Sequence, residues 1–185
     1  MLQTPFFDPK KTYGENLENG PFGDFANSQI YKNDDEPGYS FLNNPVFLPF
    51  GIPAGPLLNG KFVKAALDNG FDIATYKTVR TKKHPTNEWP NVLAVKVEGD
   101  LTLKKAAEGL VGTDVYEEPI AITNSFGVPS YDPDVWQPDM ADAVKYAKKG
   151  QIVVGSFQGT TNRSGDVQDY IKDFAKAARL VKEAG

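Results

Sequence analysis

Cysteine is absent from the 185-residue sequence, and histidine occurs once, at His84. Without thiols the chain has no disulfide framework, no thiolate metal site and no cysteine nucleophile of its own. A basic excess is also missing: 20 Lys and Arg stand against 24 Asp and Glu, a formal net charge of −4. That balance argues against nucleic acid or an anionic membrane as the main partner. No apolar run is long enough to cross a bilayer, and the start, Met1-Leu2-Gln3-Thr4-Pro5, has neither the basic nor the apolar region of a signal peptide. These absences predict a soluble, cytoplasmic protein with no nucleic acid and no membrane as its partner.

What is present is ordinary for one globular domain. Hydrophobic residues make up 40% and charged residues 24%, on a chain long enough to bury a sizeable core. Residues 1–44 are the least regular part, punctuated by Gly14, Gly20, Pro21, Gly23, Pro37 and Gly38. Their aromatics, among them Phe6, Phe7, Tyr13, Phe22 and Phe25, are too frequent for a disordered tail. This stretch reads as an irregular arm, with a short hairpin, packed on a main body over 45–185.

The body reads as repeated strand, loop and helix. Residues 45–53 predict a buried strand that empties into Pro53-Ala54-Gly55, where small residues let backbone N–H groups approach whatever lies above the sheet. Phe62, Val63, Ala66 and Leu67 predict a helix over 60–69, closed by Gly70. Residues 71–79 form the second strand and deliver Lys77 and Thr78 at its C-terminal end, where α/β folds place their chemistry. A polar loop over 80–91 holds His84, read as a loop residue rather than a ligand. A hairpin is expected next, pairing 92–97 with 101–103, then a loop with a short helix over 106–118.

Residues 120–123 predict a short buried strand entering Asn124-Ser125-Phe126-Gly127-Val128-Pro129-Ser130. A helix over 134–149, a buried strand over 151–156, and a final helix over 167–184 complete the pattern. The last helix carries Tyr170, Ile171, Phe174, Ala178 and Val181 as its apolar stripe. Asp132, Asp134 and Asp139 read as turn and helix-start residues rather than metal ligands. Continuous apolar strands predict a parallel sheet covered on both faces. Three strand–helix units cannot close an eight-unit barrel, so the remaining strands are expected from a longer form of the same chain or from another chain.

Four motifs, in this order, carry a family resemblance: Pro49-Phe50-Gly51-Ile52-Pro53-Ala54-Gly55, Thr75-Tyr76-Lys77-Thr78, Ile122 to Ser130, and Val153-Val154-Gly155-Ser156-Phe157 with Gly159. From about Pro45 onward they resemble the N-terminal part of the dihydroorotate dehydrogenases, FMN-dependent enzymes with dihydropyrimidine dehydrogenases as relatives; residues 1–44 carry no such motif. The resemblance implies an α/β fold of the TIM (β/α)8 barrel family, with about the first three strand–helix units in this chain. It implies FMN as cofactor, bound by Ala54, Gly55, Lys77, Thr78 and Asn124. It implies a dihydroorotate-like substrate, bound by Lys77 and by Asn124, Ser125, Phe126, Gly127 and Val128. Lys77 suits both roles, because a fixed cation stabilises the negative charge that hydride arrival spreads towards flavin N1 and the C2 carbonyl.

The implied reaction is oxidation of dihydroorotate, or a similar dihydropyrimidine, to orotate in pyrimidine biosynthesis. The family's base, a Cys or Ser, is expected beyond Gly185, so the isolated chain is expected to be inactive. A homodimer is allowed. Two departures stand out. Thr86-Asn87-Glu88-Trp89-Pro90-Asn91 replaces the family's Gly-Asn-Pro-x-Pro-Arg segment without its arginine, before an unusually long excursion. Pro56-Leu57-Leu58-Asn59 stands where the membrane-associated class has a substrate-binding lysine, so the chain resembles the soluble class. The alternatives are a related flavin enzyme acting on another cyclic amide and a non-catalytic protein that keeps the barrel scaffold.

Overall fold

The computed structural model describes residues 6–27, 29–118, 120–161 and 165–185. The arm begins with α1 (Tyr13–Asn19), capped reciprocally: Glu15 N–H donates to Thr12 Oγ1 at 3.2 Å and Thr12 N–H to Glu15 Oε2 at 2.8 Å. A 3-10 turn (Gly23–Ala26) follows. Strands β1 (Tyr39–Phe41) and β2 (Asn44–Val46) form an antiparallel hairpin, turned by Leu42 and Asn43 at positive φ. Then come β3 (Gly51–Ile52), α2 (Gly60–Asp68), β4 (Ile73–Val79), β5 (Val92–Lys96), α3 (Leu103–Glu108) and β6 (Val111–Thr113). The chain continues through β7 (Ile122–Asn124), α4 (Pro133–Tyr146), β8 (Ile152–Phe157) and α5 (Val167–Ala184).

Two further sheets form. Strands β3, β4 and β8 are parallel, in that spatial order; β6, β5 and β7 are antiparallel, with β5 central. Helices α2, α4 and α5 pack on the parallel sheet. Ala74, Tyr76 and Val79 of β4 share one core with Phe62, Val63, Leu67, Trp136 and Met140. Complete burial of side chains such as Phe62 and Met140, worth roughly 1.5–3 kcal/mol each, fixes this layer. Phe6, Phe7, Tyr13, Leu17 and Phe25 bring the arm against the same core. Among the described residues, no helix is long and apolar enough to cross a membrane.

The structure corrects several expectations. The strand over 45–53 is split: Leu48 N–H leaves any ladder to bond Asp72 Oδ2 at 2.6 Å, and Leu48 and Phe50 are exposed. Prolines at 45, 49 and 53 withhold the donors a continuous inner strand needs. The partner of β5 is β6 and not 101–103, which instead begin α3 with Thr102 as its N-cap. Residues 120–123 are no buried strand: β7 is exposed throughout and belongs to the antiparallel sheet, so α4 follows β4 across a long excursion. Finally, β8 is half-buried along its whole length, and in α5 the core takes Ala177, Leu180, Val181 and Ala184 while Ile171 and Phe174 lie at the surface.

Candidate functional site

Strand β4 carries an irregularity at the residues of interest. Tyr76 pairs with Gly155 but Val79 pairs with Phe157, three steps against two, so the extra residue forms a bulge across Lys77-Thr78. The helix-side core claims both Tyr76 and Val79, which a regular alternation could not do. On the β3 side, Lys77 N–H donates to the Leu57 carbonyl at 3.1 Å. The Lys77 side chain is 6% exposed, and no carboxylate forms an ion pair with it among the described residues. Burial, and then the charge of Arg80, lower its pKa from 10.5 to about 8. Thr78 Oγ1 lies 2.9 Å from Ser156 Oγ on the neighbouring strand.

The 124–130 loop is held from two sides. Asn87 Nδ2 donates to Ser125 Oγ at 2.9 Å, Asn91 Nδ2 to the Ser125 carbonyl at 3.0 Å, and Ser125 N–H to the Asn91 carbonyl at 2.8 Å. The Phe126 carbonyl accepts from Asn87 N–H and Thr86 Oγ1. The Phe126 ring packs edge-on against Phe7 and tilted against Tyr13 of the arm, at 5.4 and 5.7 Å. Gly127 has φ +77° and Val128 φ +51°. At Gly127 a Cβ would come within 2.5 Å of Asn87 Oδ1. At Val128 a β-branched residue holds a conformation that such side chains rarely adopt.

The predicted residues divide between two neighbouring cavities. Ala54, Gly55, Asn124 and Phe126 line the larger one, about 860 Å³, whose apolar wall includes Phe7 and Phe22 of the arm. Lys77 and Thr78 line the smaller one, about 420 Å³, with His84, Tyr131 and Trp136. Pro56 borders the first and Leu58 the second, so the turn after β3 runs between them. Ser125, Gly127 and Val128 face neither cavity and shape the loop instead. Gly55 has φ +125° and nothing within 4 Å of a Cβ placed on it.

Several contributors escaped the sequence reading. Arg80, three residues after Lys77, is buried and reaches the Val128 carbonyl. Asn91 stands where the arginine of the resembled segment was sought; its side-chain amide holds the loop and donates to three carbonyls. Asp139 is no helix-start residue. It lies well inside α4, where Oδ2 accepts from Gly60 N–H at 2.7 Å and from Tyr76 O–H at 2.6 Å. Burial first, and this bond second, push the Tyr76 hydroxyl pKa upward. Asp132 accepts from Lys83 N–H at 2.8 Å, as a turn residue would, and His84 pairs through its backbone with Ser130. Among the described residues no group of three or more His, Cys, Asp or Glu side chains could hold a metal ion.

No family model matches the chain. The chain is similar along its whole length to a dihydroorotate dehydrogenase from Dictyostelium discoideum, 36% identical over 193 residues. That match covers 100% of the chain, residues 1–44 included, so the similarity reaches into the arm that the motifs left out. It covers 51% of the relative: the chain spans about half the length of the curated protein it matches. Identity at this level across the full chain agrees with the four motifs, which resemble the same group of proteins in the same order.

Proposed function

We propose that the protein is an FMN-dependent oxidoreductase that oxidises dihydroorotate, or a closely similar dihydropyrimidine, and that the chain supplies three strand–helix units of its (β/α)8 barrel. The observation that carries this reading is Lys77: a buried cation at the C-terminal end of a parallel strand, set on a bulge, with no carboxylate ion pair among the described residues. Structural lysines are rarely buried without a partner. Gly55 adds a fit for a flat group, since its backbone borders the larger cavity with open space beyond it.

In this reading Ala54 and Gly55 would present backbone to the flavin from the larger cavity, and the Thr78 hydroxyl, already ordered by Ser156, borders the neighbouring cavity beside Lys77. Bound FMN supplies a two-electron acceptor for the hydride that leaves the substrate. Lys77, protonated at neutral pH with a pKa of about 8, is the cation that would stabilise negative charge on a bound flavin ring and on the substrate carbonyl. The Asn124 amide orients the pyrimidine and its carboxylate, and Phe126 closes the apolar side of the cavity and excludes water. Ser125, Gly127 and Val128 set the course of the loop that presents them.

The test is a visible spectrum of the full-length protein with FMN, before and after anaerobic dihydroorotate. A perturbed flavin spectrum that dihydroorotate bleaches, and that Lys77→Ala leaves unbleached, is the expected outcome. Bleaching that survives Lys77→Ala unchanged would overturn the role of Lys77. The lack of the arginine over 86–91 favours a second reading, oxidation of another cyclic amide. Bleaching by such a compound but not by dihydroorotate would select it.

A further inference from the structure

Arg80 lies just past β4 and is 7% exposed. Its guanidinium reaches two separate loops. Nε donates to the Val128 carbonyl at 3.0 Å, while Nη1 donates to Thr160 Oγ1 at 3.1 Å and to the Gly159 carbonyl at 3.4 Å. Its backbone is fixed as well: Arg80 N–H donates to Ser130 Oγ at 3.0 Å, and its carbonyl accepts from Trp136 Nε1 at 3.1 Å. The residue it grips is the strained one, Val128 at φ +51°. A β-branched residue keeps a left-handed backbone only where its surroundings over-determine it.

We propose that Arg80 is a positioning residue for substrate binding: its guanidinium clamps the 124–130 loop to the loop after β8 and so holds Val128 in the left-handed conformation that places Asn124 and Phe126 on the larger cavity. The planar fork matters because it serves acceptors on two sides at once; a lysine ammonium on a flexible stem would serve one or the other. The arm presses Phe126 from the opposite direction through Phe7 and Tyr13, so the loop is fixed between a polar clamp and an aromatic support. Arg80 also keeps its charge near Lys77, which makes the charge-conserving substitution the informative one. The proposal rests on the preceding reading only in taking the loop's ligand to be a pyrimidine carboxylate.

Amide hydrogen exchange on the flavin-free protein tests the clamp without reference to activity. In Arg80→Lys the amides of 125–128 and 157–161 exchange roughly tenfold faster or more, while α2 is unchanged. Thr160→Val, which removes one acceptor and little shape, shifts the same amides by a smaller factor and carries the test if Arg80→Lys does not fold. Adding Val128→Asn to Arg80→Lys restores much of the protection, since asparagine tolerates positive φ. Unchanged exchange over 125–128 in both single variants, or an increase spread evenly over the chain, would overturn the clamp. In the flavin-loaded full-length protein, Arg80→Lys raises KM for dihydroorotate by roughly tenfold with kcat within a few-fold; a fall in kcat at constant KM would overturn substrate positioning. If the wild type neither binds orotate nor oxidises dihydroorotate, the flavin-enzyme reading fails, and the exchange data still decide the clamp.

Discussion

Replacing Lys77 by methionine should make the flavin-free protein more stable at neutral pH. Lys77 titrates at about 8 in the folded chain, against 10.5 when free of its surroundings. Below about pH 8 folding carries the charged ammonium into the interior, and the penalty is constant. Between about 8 and 10.5 the unfolded chain holds the proton more firmly than the folded one, so stability rises with pH through that window. Above it, nothing more is gained. At 1.36 kcal/mol per unit of pKa, the gap between the two values corresponds to about 3 kcal/mol.

Methionine keeps an unbranched apolar stem in place of the lysine and removes the charge. Lys77→Met is therefore expected to be about 3 kcal/mol more stable than the wild type near pH 7, with the advantage gone near pH 10.5. Urea unfolding of both proteins at a series of pH values measures the difference directly, and the other titrating groups cancel in the comparison. A stability difference that is flat across the window would refute the argument. So would a variant less stable than the wild type at neutral pH, because it would mean that the ammonium has a compensating partner. Added FMN should reverse the ranking if the flavin supplies the missing counterpart for the cation.

Two further substitutions test the supports of the site. Gly127→Ala should cost about 1–3 kcal/mol in urea unfolding, from its φ of +77° and the 2.5 Å approach of Asn87 Oδ1. Asn87→Ala in the same chain should recover part of that loss by removing the clash, and wild-type stability in Gly127→Ala alone would show that the loop has another conformation available. Asp139→Ala strands the Tyr76 hydroxyl and the Gly60 N–H, at an expected cost of about 2–4 kcal/mol in thermal or urea unfolding. Asp139→Asn keeps an acceptor and should cost clearly less; equal losses in the two variants would locate the role in charge at the start of α2 rather than in the hydrogen bonds.

Elements with local signals were legible in the sequence. Helix α2 starts at Asn59, whose side chain accepts from Lys61 and Phe62 N–H, and gives way to Gly70 at φ +86°; both signals lie within a few residues of the boundary they set. Strand β4 and helix α5 likewise declared themselves by apolar pattern and length. Partners distant in sequence were not legible. Whether β5 pairs with residues 101–103 or with β6 depends on Thr102 capping α3, and an apolar 120–123 looks the same whether a sheet covers it or leaves it exposed. The stripe on α5 held only in part, with Val181 on the core and Ile171 and Phe174 at the surface, for a related reason. Gly155 admits Val181 closely enough that a Cβ there would lie 2.3 Å from Val181 Cγ1, and Ala177 and Ala184, three or four residues from Val181, are buried with it.

The same distinction applies within the site. Lys77 could be singled out from its position at a strand end, but the bulge that buries it follows from a register conflict between β4 and β8, which are some 70 residues apart in the chain. The core takes Tyr76 and Val79 together because Asp139 anchors one hydroxyl and Trp136 bonds the Arg80 carbonyl immediately beyond. That demand pushes an extra residue into β4 and brings Arg80 into reach of Val128. One packing requirement on the helix side thus sets the cation on one cavity and, through the guanidinium, the loop that borders the other. Such coupling explains why the exchange rates of 125–128 should respond to Arg80, and why those of Thr75, which precedes the bulge within the regular ladder, should not.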